Sequence, residues 1–375
     1  MSYALEEYAR MLVEPVRASA YFAALRETVR PGMVVADVGA GPGVLGIYAA
    51  TLGARRVFLV EPDASVYAAR ALAVENGVTD RIEVIRARST DVELPERADV
   101  IVSDLRGVTP FHGRHLEAAA DMRGRLLAAG GTCIPRRDQL FTALVEDDAL
   151  YARSVRAWSE LPVSLATGSL ERLLANRWSR TRATMAQQLS AATPFVTLDY
   201  DCPAPPLHSR FQTEARRDGT AHGLLVWFDT ELVPGIGFSN APEAPNALYG
   251  QAFFPFAPAI PVRKGESLAI ELRAVLSGDD YAWSWSAIDE RGRGVRHASL
   301  LGIPLDADAL AHRTGKAAPR RSLEGEIALA ALQLADGRTT MDEIARALSA
   351  RFGERFSTPQ QALDYVTSLE TLWER

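Results

Sequence analysis

The stretch VVADVGAGPGVLG, residues 34–46, decides the fold of the N-terminal part of this 375-residue chain. A short apolar run ends at Asp37 and Val38, and glycine then occupies positions 39, 41, 43 and 46. Dense glycine behind a strand lets the backbone come close to a ligand, where a side chain would collide. The stretch therefore predicts a cofactor-binding turn between a first strand and the helix that follows it.

Alternating strand and helix patterns surround that turn. Short runs rich in β-branched residues, such as RRVFLVEP (55–62) and ADVIVSDL (98–105), alternate with helical patterns such as ASVYAARALAVENG (64–77). That alternation is typical of βαβ units in an open, mostly parallel sheet. We therefore predict an α/β fold whose first domain, residues 1–140, is a Rossmann-like sheet with an N-terminal helix.

The pattern changes after residue 140. Strand-like runs with turn residues between them predict a β-barrel or β-sandwich domain over residues 141–311. One helical insertion, at about residues 151–190, interrupts these strands. The second domain is thus predicted to consist of strands that carry a helical arm.

A polar linker precedes a helical end of the chain. Three helical patterns fill residues 320–375, with a capping box of Thr340 and Glu343 at the start of the second. Thr358 and Pro359 mark the start of the third, as N-cap and first helical residue. We predict a small three-helix domain.

Composition and charge exclude several classes of protein. The formal net charge of −6 argues against a nucleic-acid binder that depends on a basic surface. No apolar run is long enough for a membrane span, and the acidic N-terminal pattern leads us to expect no export signal. Cys133 and Cys202 lie far apart and match neither a disulfide framework nor zinc spacing, so we expect a reducing cytoplasmic location and no metal site.

Two cofactor classes fit the glycine turn. Residues 41–46 match G-x-G-x-x-G, which leaves a nicotinamide or flavin dinucleotide open. However, Asp37 and Gly39 precede that motif, and a carboxylate at the strand end suits the α-ammonium group of S-adenosylmethionine (SAM). Glu61, at the end of the second strand-like run, can accept hydrogen bonds from ribose hydroxyls in either cofactor. The acid before the glycines favours SAM.

Taken in order, these motifs resemble the catalytic region of protein arginine methyltransferases, from YARMLVEPVRASAYFAAL (8–25) to LAAGGTCIPRRDQLF (127–141). The likeness extends to about residue 300, through HGLLVWFD (222–229) and VRKGESLAIEL (262–272). The resemblance implies a β-barrel after the sheet, a homodimer built through the helical insertion, and Arg17 as the residue that holds the cofactor carboxylate. It implies that the following residues bind SAM: Arg17, Asp37, Gly39, Gly41, Gly43, Glu61, Pro62, Ser89, Thr90 and Asp104.

The departures from that family fall on the catalytic groups. The family holds a substrate guanidinium between a pair of glutamates on one loop, whereas the matching loop here carries Asp104 at the first position and Gly113 at the second. Leu248 and Tyr249 stand where the family has histidine and tryptophan, and Thr90 stands in place of an adenine-side acid. The resemblance thus implies a largely kept cofactor site and an incomplete guanidinium clamp.

A single carboxylate changes the chemistry that the site can support. A pair of carboxylates suits a permanently charged guanidinium, whereas one suits an amine, an imidazole or a hydroxyl better. We expect Asp104 to orient or deprotonate the acceptor, and His112 to be a candidate base because imidazole accepts a proton near neutral pH. His115 is a second candidate base. Each histidine can equally be a surface residue, and Asp104 can equally cap the next helix.

The C-terminal helices resemble the helical half of PqqD-type domains, which hold leader peptides in ribosomal-peptide biosynthesis. The resemblance rests on ALAALQLADGRTTMDEIARALSARFG (328–353) and ALDYVTSLETLWE (362–374). It implies a leader peptide as partner, bound along the edge of a β-hairpin for which SLLGIPLDADALAH (299–312) is the candidate. A helical cap on the barrel or a helix-turn-helix fold explains the same periodicity.

The sequence thus predicts a SAM-dependent methyltransferase that acts on a nitrogen, less readily on an oxygen, of a peptide or natural-product substrate. Nitrogen is preferred only because the resembling family methylates nitrogen. A non-catalytic SAM-binding partner protein and an arginine methyltransferase with an altered site remain as alternatives. A nicotinamide oxidoreductase remains as a third, through the G-x-G-x-x-G match.

Overall fold

The computed structural model describes residues 5–159, 161–202, 207–242, 244, 249–304, 318–369 and 372. The chain divides into two compact units, Met1–Pro304 and Leu305–Arg375. The first contains a parallel sheet with helices and then two antiparallel sheets, and the second contains helices. The predicted α/β fold with a following barrel-like domain is confirmed.

A parallel sheet forms the first part of the larger unit. Its strands are β1 Val34–Val38, β2 Arg56–Val60, β3 Ile82–Ile85, β4 Ala98–Ser103 and β5 Leu127–Ile134. They pair in the order β3-β2-β1-β4-β5, all parallel. Their continuous apolar runs are typical of a sheet that is covered on both faces. Strand order reverses at β1, so the carboxyl ends of β1, β2 and β4 lie side by side.

Helices of this region position several side chains at that edge. They are α1 Leu5–Leu12, α2 Pro15–Thr28, α3 Val44–Thr51, α4 Ala68–Glu75 and α5 His115–Arg125. Helix α2 begins with proline at its first position, and the Glu14 side chain caps it by accepting from the backbone N–H groups of Val16 and Arg17. Arg17 and Tyr21 lie on the buried face of α2.

Two antiparallel sheets make up the barrel-like region. The first consists of β6 Arg137–Val145, β7 Ser179–Thr181, β8 Thr193–Asp199, β10 Gly219–Val233, β11 Ile236–Ser239 and β12 Gln251–Val262. The second consists of β9 Leu207–Glu214, β13 Ser267–Ser277, β14 Asp280–Asp289 and β15 Gly294–Ala298. One buried cluster includes Val35 and Leu59 of the parallel sheet together with Phe228 and Trp285, so both regions share a hydrophobic core.

The boundaries differ from the sequence prediction in two places. Strand β6 begins at Arg137, so the antiparallel region starts before residue 141. The helical insertion consists of α6 Asp148–Val155 and α7 Gly168–Ala175, and it is shorter than residues 151–190. The difference arises because Ser179–Thr181 pairs with β12 and joins the sheet.

The C-terminal unit contains α8 Leu323–Leu334, α9 Met341–Arg351 and α10 Pro359–Ser368. Their own buried cluster holds them together, and its members include Ile327, Ala331, Ile344, Leu348 and Val366. The sequence predicts the helix starts correctly, since Thr340 and Glu343 form the capping box of α9 and Thr358 caps α10.

The candidate hairpin of this region is described only in part. Ser299–Gly302 forms a 3₁₀ turn, and residues 305–312 lie outside the described residues. None of the helices in the described ranges combines the length and the apolar character that a membrane crossing requires.

Candidate active site

Acidic side chains line the carboxyl edge of the parallel sheet. Asp37 lies near the end of β1, Glu61 follows β2, and Asp104 follows β4. Because these strands are parallel neighbours, their ends meet where the strand order reverses. Open α/β sheets bind their ligands at this position.

Backbone N–H groups hold the two acids on the β1–β2 side. Asp37 Oδ2 accepts a hydrogen bond from the Gly46 N–H at 2.8 Å. Glu61 accepts from the Gly41 N–H through Oε2 and from the Asp63 N–H through Oε1, both at 3.0 Å. Asp37 is 2% exposed and Glu61 is 7% exposed, so both carboxylates are buried. The glycine turn therefore fixes the two acids through its own backbone.

The protonation of Asp37 reflects this environment. Burial raises the pKa of Asp37 to about 7, while the Gly46 N–H opposes the increase and the nearby Glu61 carboxylate adds to it. A cationic ligand group beside these acids would favour the ionised form of Asp37. Paired, buried carboxylates held by backbone thus fit a ligand that brings an ammonium group and ribose hydroxyls, as SAM does.

Glycine in the turn allows close packing as well. Gly41 has a φ of +52°, and a Cβ atom there would collide with the ring of Tyr8 on α1. Gly39 has a φ of +74°, and a Cβ atom there would collide with Leu105. Gly43 is the N-cap of α3. Positions 39 and 41 therefore admit no side chain, and the assignment of these glycines to cofactor binding stays a prediction.

The third acid, Asp104, has a different environment. Its Oδ2 accepts from Arg17 Nε and from the Tyr249 hydroxyl, both at 2.5 Å. Its Oδ1 accepts from Arg106 Nε at 3.0 Å. The Asp104 side chain is 5% exposed. Both oxygens of this carboxylate are thus engaged by side chains of the same chain.

These contacts fix the charge state of the cluster. Burial by itself would raise the pKa of Asp104, but Arg17 and Arg106 outweigh it and hold that pKa well below its usual range. Burial would lower the pKa of Arg17, but the Asp104 carboxylate outweighs it and the pKa is raised. Burial and the Asp104 charge raise the pKa of Tyr249, so its hydroxyl stays protonated and donates. Asp104 is therefore ionised and unsuited to accept a proton near neutral pH.

Arg17 lies at the candidate site, as the resemblance implies, but its guanidinium contacts other groups of the protein. The resemblance assigns its guanidinium to a cofactor carboxylate, whereas here Nε contacts Asp104 and Tyr249. Nη1 donates to the Met11 carbonyl at 3.1 Å and so connects α2 to the end of α1. Arg17 thus links the N-terminal helices to the acid behind β4.

Arg106 is a site residue that the sequence analysis did not single out. Its side chain is fully buried, and Nη1 lies 2.9 Å from Asp138 Oδ1. The feature of the sequence that could have identified it is an arginine two positions after Asp104, between Leu105 and Gly107. Tyr249, which stands where the resembling family has tryptophan, is a hydrogen-bond partner of Asp104, and Leu248 lies outside the described residues.

The two histidines near this loop differ in exposure. His112 is exposed, and its ring lies against Gly107. His115 is buried at the start of α5, and its Nε2 lies 2.9 Å from the Tyr200 hydroxyl. Burial and the Arg106 charge lower the pKa of His115 to about 3, so this residue cannot serve as the base that was considered for it. His112 stays the candidate.

The second clamp position is Gly113, which has a φ of +49°. Its N–H donates to Asp280 Oδ1 at 3.0 Å. A Cβ atom there would have its nearest neighbour, the Asp279 carbonyl, at 3.9 Å. Space for a side chain thus exists at this position, but the left-handed backbone favours glycine.

Three further predicted cofactor-binding residues, Pro62, Ser89 and Thr90, lie in loops after β2 and β3. Pro62 accepts a hydrogen bond from Arg86 Nε at its carbonyl, at 3.2 Å. Ser89 and Thr90 belong to a 3₁₀ turn, Ser89–Asp91, in which the exposed Thr90 hydroxyl donates to Asp91. Their role in cofactor binding stays a prediction. Within the described ranges no group of three or more His, Cys, Asp or Glu side chains is placed to hold a metal ion.

Sequence profiles match both regions of the larger unit. Residues 136–286 match the arginine methyltransferase oligomerization subdomain. Residues 19–106 match the ribosomal protein L11 methyltransferase (PrmA) profile.

Curated relatives point to the same family. The Arginine N(omega)-methyltransferase of Streptomyces achromogenes subsp. streptozoticus is 30% identical over 273 residues, which cover 70% of this chain and 74% of that protein. The Histone-arginine methyltransferase CARMER of Anopheles gambiae is 30% identical over 286 residues, or 71% of this chain. The matched part spans 45% of the mosquito protein, so this chain corresponds to less than half of that relative.

Solved structures share the fold at lower sequence identity. The Trypanosoma brucei PRMT1 enzyme-prozyme heterotetrameric complex with AdoHcy aligns with a TM-score of 0.72 and 22% identity, over 78% of this chain and 96% of that one. Arabidopsis thaliana Protein Arginine Methyltransferase 10 aligns with a TM-score of 0.68 and 21% identity, over 79% and 97%. The chain belongs to the family of SAM-dependent arginine methyltransferases.

Proposed function

We propose that this protein is a SAM-dependent methyltransferase whose acceptor is a nitrogen of a peptide or natural product, and not an arginine guanidinium. The observation that carries the proposal is the contrast along the sheet edge. Asp37 and Glu61 are held by backbone N–H groups, whereas Asp104 is held by arginine side chains. Family membership supports methyl transfer to nitrogen, and the occupied Asp104 supports a different acceptor.

The β1–β2 edge supplies the groups that would hold the cofactor. Glu61 would accept hydrogen bonds from the adjacent ribose hydroxyls, and Asp37 would lie beside the α-ammonium group. The Arg17 guanidinium, whose Nε is held by Asp104, would bind the carboxylate of the cofactor with an outer nitrogen. When bound, SAM supplies a methyl group on a sulfonium, which an acceptor takes in an in-line displacement. Pro62, Ser89 and Thr90, in the loops after β2 and β3, would complete the cofactor site.

On the acceptor side, the chain mainly contributes alignment. Asp104 is a positioning residue, because its arginine contacts hold its pKa too low for it to act as a base. His112 lies exposed on the same loop and takes the proton that the acceptor loses. With Gly113 in place of a second carboxylate, the loop has no clamp for a guanidinium.

We extend the proposal to assembly and partners. A homodimer forms through the helical insertion, whose exposed apolar side chains include Trp158, Val163 and Leu165. The separate C-terminal unit binds a leader peptide, which would make the acceptor part of a precursor peptide. Cys133 and Cys202 are free thiols, which suits a reducing cytoplasm.

A second candidate is a non-catalytic SAM-binding partner subunit. The observation that favours it is the same engaged carboxylate, because both Asp104 oxygens are hydrogen-bonded within the chain. The fold is also shared with a complex whose name pairs an enzyme with a prozyme.

Equilibrium dialysis followed by a transfer assay tests these alternatives. We expect the purified protein to bind SAM and to transfer a labelled methyl group to peptide or small-molecule amines, imidazoles or amides, but not to arginine. His112→Ala should slow transfer by about a hundredfold and leave SAM binding unchanged. Lack of SAM binding would contradict the enzyme proposal, and tight binding without transfer to any acceptor would support the partner subunit.

A further inference from the structure

Arg106 is held in the way that a protein holds a bound guanidinium. Nε donates to Asp104 Oδ1 at 3.0 Å, and Nη1 donates to Asp138 Oδ1 at 2.9 Å and to Thr230 Oγ1 at 2.7 Å. Nη2 donates to the Tyr21 hydroxyl at 2.7 Å. The side chain has no exposed surface. All three nitrogens of the guanidinium are therefore engaged by side chains.

Aromatic rings complete the surroundings of this guanidinium. The Arg106 Cζ atom lies 5.4 Å from the centroid of the Phe228 ring and 5.5 Å from that of Phe238. Carboxylates, hydroxyls and aromatic faces are the groups that recognise a guanidinium in proteins. The chain thus contains a complete guanidinium pocket, and its own arginine fills it.

The pocket is rigidly built from several elements. Asp138 lies on β6 with no exposed surface, and its Oδ2 accepts from the Tyr200 hydroxyl at 2.6 Å. Because Tyr200 donates to Asp138, the buried His115 Nε2 donates to the Tyr200 oxygen, at 2.9 Å. Tyr21 comes from α2 and also donates to the Ser103 carbonyl. Each group that holds Arg106 is thus itself held in place.

We infer that Arg106 determines acceptor specificity. Its guanidinium occupies Asp104 and thereby excludes acceptors that carry a guanidinium. Uncharged nitrogen compounds then remain as the substrate class. This inference rests on the proposed function, because it takes Asp104 to face the acceptor.

Occupation of Asp104 by the chain's own cations explains the exclusion. The buried cluster pairs the carboxylates of Asp104 and Asp138 with the guanidinium groups of Arg17 and Arg106. A guanidinium-bearing acceptor would compete with Arg106 for the same carboxylate oxygen. To reach Asp104 Oδ1 it would have to displace Arg106 Nε, which would leave a fully buried cation short of one carboxylate. An uncharged amine, imidazole or amide needs no such exchange.

Two variants test the inference. In Arg106→Met, an unbranched apolar side chain replaces the cation between the rings of Phe228 and Phe238. In Arg106→Met with Asp138→Asn, the compensating carboxylate is also neutralised, and the amide oxygen still accepts from Tyr200. The double variant keeps the buried charges balanced, so it is the one expected to remain folded if the single variant does not.

The probe is methylguanidine, titrated calorimetrically into the full-length protein without cofactor, with methylurea as an uncharged analogue of similar shape. We expect wild type to show no saturable methylguanidine binding. We expect both variants to bind it with an affinity at least about tenfold above any binding by wild type, because Asp104 becomes available. Methylurea should not distinguish wild type from the variants.

The control variant is Arg106→Lys, which keeps a cation beside Asp104 and should exclude methylguanidine as wild type does. The inference would be overturned if the double variant unfolds cooperatively, and is therefore folded, yet binds methylguanidine no more tightly than wild type. Saturable binding by wild type alone would overturn it too, whether or not the variants fold. If wild type fails to bind SAM, the proposed function is wrong, but the results expected from these methylguanidine titrations stay the same.

Discussion

The acids in the two halves of the parallel sheet's carboxyl edge have different kinds of hydrogen-bond partner. At the ends of β1 and β2, backbone N–H groups from the glycine turn hold Asp37 and Glu61. At the end of β4, Arg17, Arg106 and Tyr249 engage both oxygens of Asp104. Each of these acids is buried, so the difference lies in their partners and not in their exposure.

We infer from this contrast that the two ends of the edge have different roles, cofactor binding and acceptor choice. A carboxylate that is held by backbone dipoles has no fixed cation hydrogen-bonded to it, so it suits a cationic ligand. A carboxylate held by fixed cations is neutralised in place and acts as a structural and positioning group. In this chain Asp37 and Glu61, on the proposed cofactor side, have the first arrangement, and Asp104, on the proposed acceptor side, has the second.

Asp104→Asn should give the largest effect in the comparison. Without the carboxylate, Arg17 and Arg106 remain buried beside a neutral amide, so the free energy of unfolding should fall by about 3–5 kcal/mol. Urea denaturation measures this change. The control is Asp121→Asn, which breaks an exposed ion pair with Arg125 and should cost about 1 kcal/mol or less. Similar costs for the two variants would show that the Asp104 cluster is not a balanced unit.

Glu61→Ala tests the cofactor side. Removing the acceptor of ribose hydrogen bonds should cost roughly 2–3 kcal/mol of binding free energy, or about a hundredfold in SAM affinity. Isothermal titration measures it, with Glu83→Ala on β3 as the control, since Glu83 pairs with Arg56 at 2.6 Å. Glu61→Gln keeps a side-chain acceptor for the turn and reports on folding. SAM affinity that is unchanged in Glu61→Ala would place the cofactor elsewhere.

Tyr249→Phe tests the contribution of a single hydrogen bond to the stability of the Asp104 cluster. The variant removes one hydrogen bond to a charged carboxylate and leaves both arginines, so unfolding should become easier by about 1.5 kcal/mol. Thermal and urea unfolding provide the measurement. Tyr365→Phe, which removes a hydroxyl contact with the Glu324 carbonyl on the exposed surface of the C-terminal unit, should cost less. A loss as large as that of Asp104→Asn would mean that Tyr249 does more than support the carboxylate.

The smallest expected effect is a pH dependence at Asp37. Its pKa of about 7 lies above the unfolded value, so its contribution to stability is present near pH 4 and is lost as pH rises through about 7. Because the proposal has the ionised Asp37 carboxylate hold the ammonium group of SAM, SAM affinity should increase about fivefold between pH 6 and pH 7 and level off at higher pH. Calorimetry at several pH values checks this slope. It should disappear in Asp37→Asn, and a slope that persists there would assign the titration to another group.

The fold was largely predictable because its signals are local. Short apolar runs rich in β-branched residues mark most of the parallel strands, and Thr340 and Thr358 mark the starts of α9 and α10 within a single turn of sequence. The short strand β7 was missed because Ser179–Thr181 becomes a strand only through its pairing with β12. Local pattern cannot report a pairing partner that is distant in the chain.

The acceptor side was predictable only in part, for the same reason. The sequence singled out Asp104, yet its charge state depends on Arg17, which is 87 residues away. Arg106 contacts Asp138 and Thr230, at separations of 32 and 124 residues. Buried polar networks of this kind are assembled by tertiary packing, so their members look unrelated along the chain.

A crystal structure of the protein grown with S-adenosylhomocysteine tests the central claim most directly. We expect the nucleoside to bind at the ends of β1 and β2, with its ribose hydroxyls on Glu61 and its ammonium group near Asp37. Arg106 should still contact Asp104. A nucleoside bound elsewhere, or an Arg106 that leaves Asp104 when the cofactor binds, would contradict it.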